Sequence, residues 1–285
     1  MTVFFTDTDC EMWYTDAESL GLKVIGMPYT IKGKEYIYDY GKDTDFETFY
    51  ANMRKGEVAK TSALNVQDYI DYFEPVFAAG NDIFYVHFSS ELSGTFNYME
   101  IALNSLKEKY PDRKAIIFDT KSISLGGGIQ AIEACKLHNK GASDEEVLEF
   151  LNDFTKKVSV YFYVDSLQYL KRGGRISAAS AIMGTLLNLK PILTVTPEGK
   201  LEKITVAKGK KKAIEYLYSM FEKEYLEDDK YEVYIIDASN KDTGDELAEK
   251  IKNSGKKVSV RRLPVGPVIG AHAGPGTIGI IFVKK

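Results

Sequence analysis

Two short segments constrain the fold more than anything else in this chain. Residues 82–88 (Asp-Ile-Phe-Tyr-Val-His-Phe) and 114–119 (Lys-Ala-Ile-Ile-Phe-Asp) are apolar runs with little alternation. A strand of that kind hides both of its faces, as strands do in a parallel sheet covered by helices. Between the two runs, Met99, Leu103 and Leu106 fall on one face of a helix spanning Asn97 to Tyr110. Strand, helix and strand in succession predict a crossover unit. Val3-Phe4-Phe5 is an earlier strand, and Asn65 to Ala79 an earlier helix stopped by Gly80. The first half therefore predicts a mainly parallel α/β arrangement. Tyr29 to Tyr38 interrupts it with strand alternation around a Lys-Gly-Lys turn, which predicts an inserted β-hairpin within an insert of about 27–57.

Ser143-Asp-Glu-Glu146 is a capping box that opens a helix to about Lys157. Beyond it the chain becomes rich in strand signals: Ser159–Val164, Ile192–Val195, Leu201–Val206, Tyr231–Ile236, Lys257–Val260 and Thr277–Val283. Helices between these strands would cover one face, an α+β arrangement. At 285 residues the chain accommodates two domains. The expected division is an α/β domain over 1–157 and an α+β domain over 158–285.

Hydrophobic residues make up 44% of the sequence and charged residues 27%, the balance of a soluble globular protein. Lys+Arg number 37 against 41 Asp+Glu, a formal charge of -4 that does not suggest nucleic acid as a partner. No segment approaches the ~18 uncharged apolar residues of a membrane span. The N-terminus lacks the features of a signal peptide. Cys10 and Cys135 form no CxxC or metal-ligand spacing, so two free thiols in a reducing cytoplasm are expected, with no metal.

Several segments carry chemistry. Gly266 to Gly276 places His272 between Ala271 and Ala273, with Gly270, Gly274 and Gly276 close by. Small residues let the backbone approach a ligand, and the imidazole can donate a hydrogen bond to it. The plainer reading is a tight loop entering the last strand. Ser93-Gly94-Thr95 follows a strand and opens a helix, where unpaired N–H groups and two hydroxyls can meet an anion or where a hydroxyl simply caps. Thr61-Ser62 presents the same choice before the helix at Asn65.

Arg172 and Arg175 flank Gly173-Gly174, where a helix ends. They can bind phosphate, dock a partner or complement the helix terminus. Lys208 and Lys210 to Lys212 form a basic cluster that reads as a soluble face or a contact for phosphate or a partner. Ile176 to Leu189 holds no charged residue, and Ala178, Ala179, Ala181 and Gly184 are small. Such a helix packs against a neighbour or leaves room for an acyl chain. At ~0.8 kcal/mol per methylene, ~15 methylenes would gain ~12 kcal/mol before costs. Gly126 to Ala131 matches G-x-G-x-x-A formally, but it is separated from the strand and lacks the acidic residue a dinucleotide site needs.

Ser89-Ser-Glu-Leu-Ser-Gly-Thr95, Leu170-Lys-Arg-Gly-Gly-Arg-Ile-Ser177 and the glycine-rich segment around His272, in this order, make the chain resemble the DegV family over essentially its whole length. The resemblance implies an α/β domain with a small insert, an α+β domain, and a long-chain fatty acid held between them. Thr61, Ser62, Ser93 and His272 would then bind the fatty-acid carboxylate. Gly94, Thr95, Gly126, Gly128, Ile176, Ala179 and Gly270 would line the ligand region. Arg172 and Arg175, Arg172 above all, would dock a separate ATP-dependent fatty acid kinase catalytic subunit. Where the family usually continues Thr-Ser with Gln-Pro, this chain has Ala63-Leu64.

Two functional classes follow. The favoured one is a cytoplasmic, non-catalytic lipid-binding subunit that presents the fatty-acid carboxylate for acyl-phosphate formation, with no cofactor beyond the fatty acid itself. The alternative is a Ser/His hydrolase or transferase acting on a small acyl or phosphoryl substrate at the same site, although the G-x-S-x-G elbow is absent. No P-loop or kinase signature is present, so phosphoryl transfer would need ATP from a partner.

Overall fold

The computed structural model describes residues 1–177, 188–228 and 230–285. The chain opens with β1 (Thr2–Asp7), a 3-10 turn over Thr8–Cys10, and α1 (Tyr14–Leu20). β2 (Lys23–Ile25) then runs parallel to β1 with Lys23 opposite Phe5. Next come β3 (Pro28–Ile31), β4 (Lys34–Ile37), α2 (Phe46–Arg54) and β5 (Lys60–Thr61). The expected hairpin is present as β3 and β4, and β5 adds a third antiparallel strand in the order β4-β3-β5. Two residues are too few to carry a strand pattern, so β5 is set by its pairing of Tyr29 with Thr61.

α3 (Val66–Ala78) starts at a capping box between Asn65 and Asp68 and leads to β6 (Asp82–His87). α4 (Thr95–Lys109) connects β6 to β7 (Ala115–Asp119). The first sheet is wholly parallel, in the order β2-β1-β6-β7. α5 (Leu125–Asn139) and α6 (Asp144–Phe154) follow, the second opened by the Ser143–Glu146 box. α6 ends earlier than expected, and Thr155–Lys157 tightens into a 3-10 turn.

The second sheet comprises β8 (Val158–Tyr163), β9 (Leu189–Val195), β10 (Leu201–Lys208), β11 (Val233–Asp237), β12 (Val260–Pro264) and β13 (Ile278–Val283). Its helices are α7 (Gln168–Arg172), α8 (Gly209–Glu224), α9 (Lys241–Lys252) and α10 (Pro267–Ala273). The strand order is β10-β9-β8-β13-β11-β12, antiparallel except where β12 lies parallel to β11. β12 begins where the expected strand, Lys257–Val260, ends. Its register is set by pairing Val260 with Val233, and the preceding residues are spent leaving α9 through Gly255 at φ 78°. The fold is thus mixed α/β, as the sequence implied.

The mixed sheet has two buried faces. Leu217 and Phe221 of α8 and Leu247 and Ile251 of α9 pack with Ile235, Ile280 and Phe282 on one face. On the other, Phe162, Ile236 and Ile281 join the larger core with Phe4, Val86 and Leu125. In the parallel sheet the chain leaves β1 toward β2 on one side, and leaves β6 toward β7 on the other. The segments beyond these two neighbouring strands therefore diverge. A crevice opens at their carboxyl ends, the place where open parallel sheets take ligands.

Candidate functional site

A cavity of about 140 Å³ occupies that crevice and is closed on its far side by the mixed sheet. Most of its wall is apolar: Phe88 and Leu92 after β6, Val160 and Phe162 on β8, Leu201 on β10 and Ile236 on β11. Polar side chains enter from few places. They are Asp9 after β1, Thr61 and Ser62 at the end of β5, Ser93 and Thr95 at the start of α4, Ser124 before α5, Arg175 after α7, and His272 and Thr277 near β13. Few polar groups in an apolar concavity is the usual composition of a small-molecule site.

The glycine-rich segment forms a short helix, α10, rather than a loop, with Pro267 in its first turn, where a missing N–H costs nothing. That helix presents His272 to β5, and Thr61 Oγ1 lies 2.8 Å from its Nε2. The other ring nitrogen, Nδ1, is buried and has no hydrogen-bond partner. A Cβ on Gly173 would overlap Nδ1, so the first glycine of Gly173-Gly174 lets α7 and the imidazole touch. Burial, followed by the Arg175 charge, pushes His272 down to about 4. The ring is therefore neutral near pH 7. When the Thr61 hydroxyl donates to Nε2, the imidazole proton resides on the unpartnered Nδ1.

Ser93 Oγ lies 2.9 Å from Thr95 Oγ1, which is 3.5 Å from His87 Nε2. His87 Nδ1 donates to the Phe88 carbonyl, and when the ring carries its single proton there, Nε2 accepts from the Thr95 hydroxyl. Gly94, also in the cavity wall, is the N-cap residue of α4 and supplies no side-chain cap. The start of this helix thus keeps polar groups turned toward the crevice. Ser93 does not hydrogen-bond His272, and among the described residues no carboxylate orients His272. That arrangement lacks the linkage of a hydrolytic triad.

Arg175 faces inward. Its Nε donates to the Leu92 carbonyl at 2.9 Å and its Nη1 to the Gly173 carbonyl, and its side chain lines the cavity. Burial disfavours its charge, and Asp9 partly restores it. Arg175 is half-buried and lines both the cavity and the groove beside it. Arg172 is exposed, its guanidinium 5.6 Å from the Tyr169 ring.

Sequence reasoning passed over three acids at the end of β1. Asp7 accepts from the Tyr85 hydroxyl and the Phe88 N–H, both at 3.0 Å. Glu11 accepts from the Ser124 hydroxyl and the Gly266 N–H, and burial raises it to about 8 against those two bonds. Asp9 is 7% exposed, and its Oδ1 has no partner. Burial raises it well above the carboxylate range. Asp7 and Glu11 push the same way and Arg175 opposes them. The available signal was positional, because polar residues directly after a central parallel strand face the crevice.

The other expected lining residues fall elsewhere. Gly126 packs so closely on Ser122 and Val160, and Gly128 on the carbonyls of Cys10 and Glu11, that a Cβ would overlap them. Neither lines the cavity. Gly270 contacts the Tyr50 ring in the same manner. Ile176 lines an adjoining groove with Gly174, Arg175 and Glu91. Ala179, with Ala178, Ala181 and Gly184, lies outside the described residues. Among the described residues no three His, Cys, Asp or Glu side chains converge to hold a metal, and no helix is long and apolar enough to cross a membrane. Cys10 and Cys135 are buried free thiols.

Comparison with known proteins follows the same geometry. A DegV domain-containing protein of Clostridium perfringens is 34% identical over 281 residues, covering 99% of this chain and 97% of that protein. A DegV family protein from Thermus thermophilus, described by its fatty acid binding, superposes with a TM-score of 0.86 at 29% identity, covering 100% and 99% of the two chains. DegV from Bacillus subtilis, described as a fatty acid binding protein, gives a TM-score of 0.84 at 25% identity over 100% and 99%. The DegV family model, whose description is that of an uncharacterised protein family, matches residues 2–285, and this chain belongs to the DegV family.

Proposed function

We propose that this protein binds a long-chain fatty acid and has no catalytic activity of its own. The carboxylate meets Thr61, Ser62, Ser93 and His272, and the first part of the acyl chain lies along the apolar walls of the cavity, which at about 140 Å³ does not hold the whole chain. The observation that carries this reading is the meeting of hydroxyls, a neutral imidazole and the Arg175 guanidinium in one mostly apolar cavity. A buried carboxylate needs such donors, because leaving its oxygens unpaired is costly. The fatty-acid binding described for the Thermus and Bacillus relatives supports the same ligand class.

From the family resemblance we further propose that the bound carboxylate is presented to a separate ATP-dependent kinase subunit in the cytoplasm, with exposed Arg172 on the docking surface. Mass spectrometry of lipid extracted from the purified protein tests the first part, and a long-chain fatty acid is the expected finding. No lipid, together with no calorimetric binding of added palmitate, would refute it. For the second part, Arg172→Ala should impair acyl-phosphate formation with the kinase while leaving palmitate affinity within about twofold, as befits a surface cation. Equal losses of both would move Arg172 into the ligand site. Ester hydrolysis by the isolated protein, abolished in Ser93→Ala, would replace the carrier reading with a hydrolase.

A further inference from the structure

Asp9 is out of place in a site for an anion. It follows β1, shares the cavity wall with Ser93 and His272, and is buried with Oδ1 unpartnered. Its own backbone N–H is taken up by Asp7 Oδ1 at 3.0 Å, so local structure already accounts for the turn without the Asp9 side chain. Arg175 lies close enough to act electrostatically on both Asp9 and His272, which puts the acid and the imidazole around one guanidinium. No ion pair forms between Asp9 and Arg175, whose Nε and Nη1 are occupied by carbonyls. Two carboxylates brought together in a buried site cannot both remain ionised.

We propose that Asp9 is a head-group residue that binds the fatty acid as a neutral carboxylic acid, donating its proton in a hydrogen bond to the ligand carboxylate. The inference rests on the fatty-acid reading above. The proton comes from solvent, and no bond is made or broken other than the Asp9 O–H. Binding above the point where Asp9 ionises in the empty protein therefore takes up one proton. Asp9 thus sets an upper pH limit on binding and favours a carboxylate, which accepts that hydrogen bond strongly, over an alcohol or ester.

The groups around Asp9 are Asp7, Cys10 and Glu11 on its own turn, Tyr69 from α3, Arg175 after α7 and, around the same guanidinium, His272 from α10. Glu11 titrates near 8 and can mimic part of the effect. His272, held near 4, could instead take up a proton when an anion arrives. The experiment must separate these three.

Palmitate affinity of the delipidated protein is measured from about pH 6 to about pH 10, with proton uptake read by calorimetry in two buffers of different ionisation enthalpy. The expected result is a Kd that rises by up to about tenfold per pH unit in the upper part of that range, with uptake approaching one proton. Asp9→Asn, which keeps a donor but does not titrate, should flatten the profile and abolish the uptake, while Glu11→Gln keeps both. A profile that is flat in the wild type, or that persists unchanged in Asp9→Asn, would overturn the proposal. Persistence in Asp9→Asn would assign the proton to Glu11 if Glu11→Gln abolishes it, and to His272 if Glu11→Gln does not. Should Asp9→Asn not fold, wild-type proton uptake that is zero throughout still overturns it. Absence of palmitate binding by the wild type at every pH is a different outcome, since it removes the fatty-acid reading itself.

Discussion

Glu11 joins three parts of the molecule that are remote in sequence, and its protonation should govern stability near neutral pH. It sits at φ 38° after the first turn and is 2% exposed. Its carboxyl accepts from the Ser124 hydroxyl before α5 and from the Gly266 N–H before α10. Burial raises it from the ordinary value of 4.5 to about 8. An unfolded glutamate releases its proton near 4.5, so between there and 8 the folded protein holds one proton that the unfolded chain does not. Stability from this group is fully present below 4.5 and falls by ~1.4 kcal/mol per pH unit as pH rises through the window. The whole loss, complete above 8, is roughly 5 kcal/mol, a large part of the ~5–15 kcal/mol available to a folded domain. Asp9 is raised in the same direction and adds to the decline. Glu11→Gln keeps an acceptor oxygen for Gly266 and has no proton to lose. Urea unfolding followed by fluorescence from about pH 5.5 to about pH 8.5 should show the wild type losing ~1.4 kcal/mol per pH unit relative to the variant. Parallel stability curves for the two proteins would refute the reasoning and place the Glu11 proton equilibrium near its unfolded value.

Ser93→Ala and His272→Ala should each weaken palmitate binding by roughly tenfold or more, the ~1.5–3 kcal/mol of one donor to a charged group, while far-UV circular dichroism stays unchanged. Unaltered affinity in both would put the carboxylate elsewhere. Gly128→Ala should destabilise the fold by ~1–3 kcal/mol or more, because the new Cβ meets the Cys10 and Glu11 carbonyls, which are backbone and cannot swing aside. A denaturation midpoint equal to wild type would show that the β1 turn shifts freely.

The parts of the fold carried by burial pattern were legible in the sequence. β6, α4 and β7 follow from apolar runs on either side of a one-faced helix, and α6 from its capping box. The parts fixed by pairing were not. β5 is two residues long, and β12 is half-buried along its length, so its bounds come from its parallel neighbour β11. At the site, Thr61 and His272 are 211 residues apart, and only the family resemblance linked them before the fold did. Gly173 read as a helix end, yet its missing side chain is what admits the imidazole. Arg175 read as a docking residue beside Arg172, and the sequence could not show that its guanidinium also donates to the Leu92 carbonyl at the cavity wall. Asp9 and Glu11 gave no motif. Their chemistry arises only once β1 lies beside β6 and the crevice forms between their ends.

The crevice and its occupants have separate physical origins. The crevice follows from strand order alone, since any parallel sheet whose central strands lead in opposite directions opens one there. The side chains in it break the ordinary rules of burial. An acid whose Oδ1 has no partner and a histidine pushed down to about 4 line it, and the same β1 turn holds a second acid raised to about 8; burying such groups is costly. Close contacts lie nearby, at Gly128 against the β1 turn and at Gly173 against His272, and leave no room for a side chain at either glycine. On the proposed reading an incoming carboxylate meets donors already oriented, so little further ordering is needed on binding. On the proposed reading, Asp9 and His272, which weaken the empty protein, are also groups that recognise the ligand.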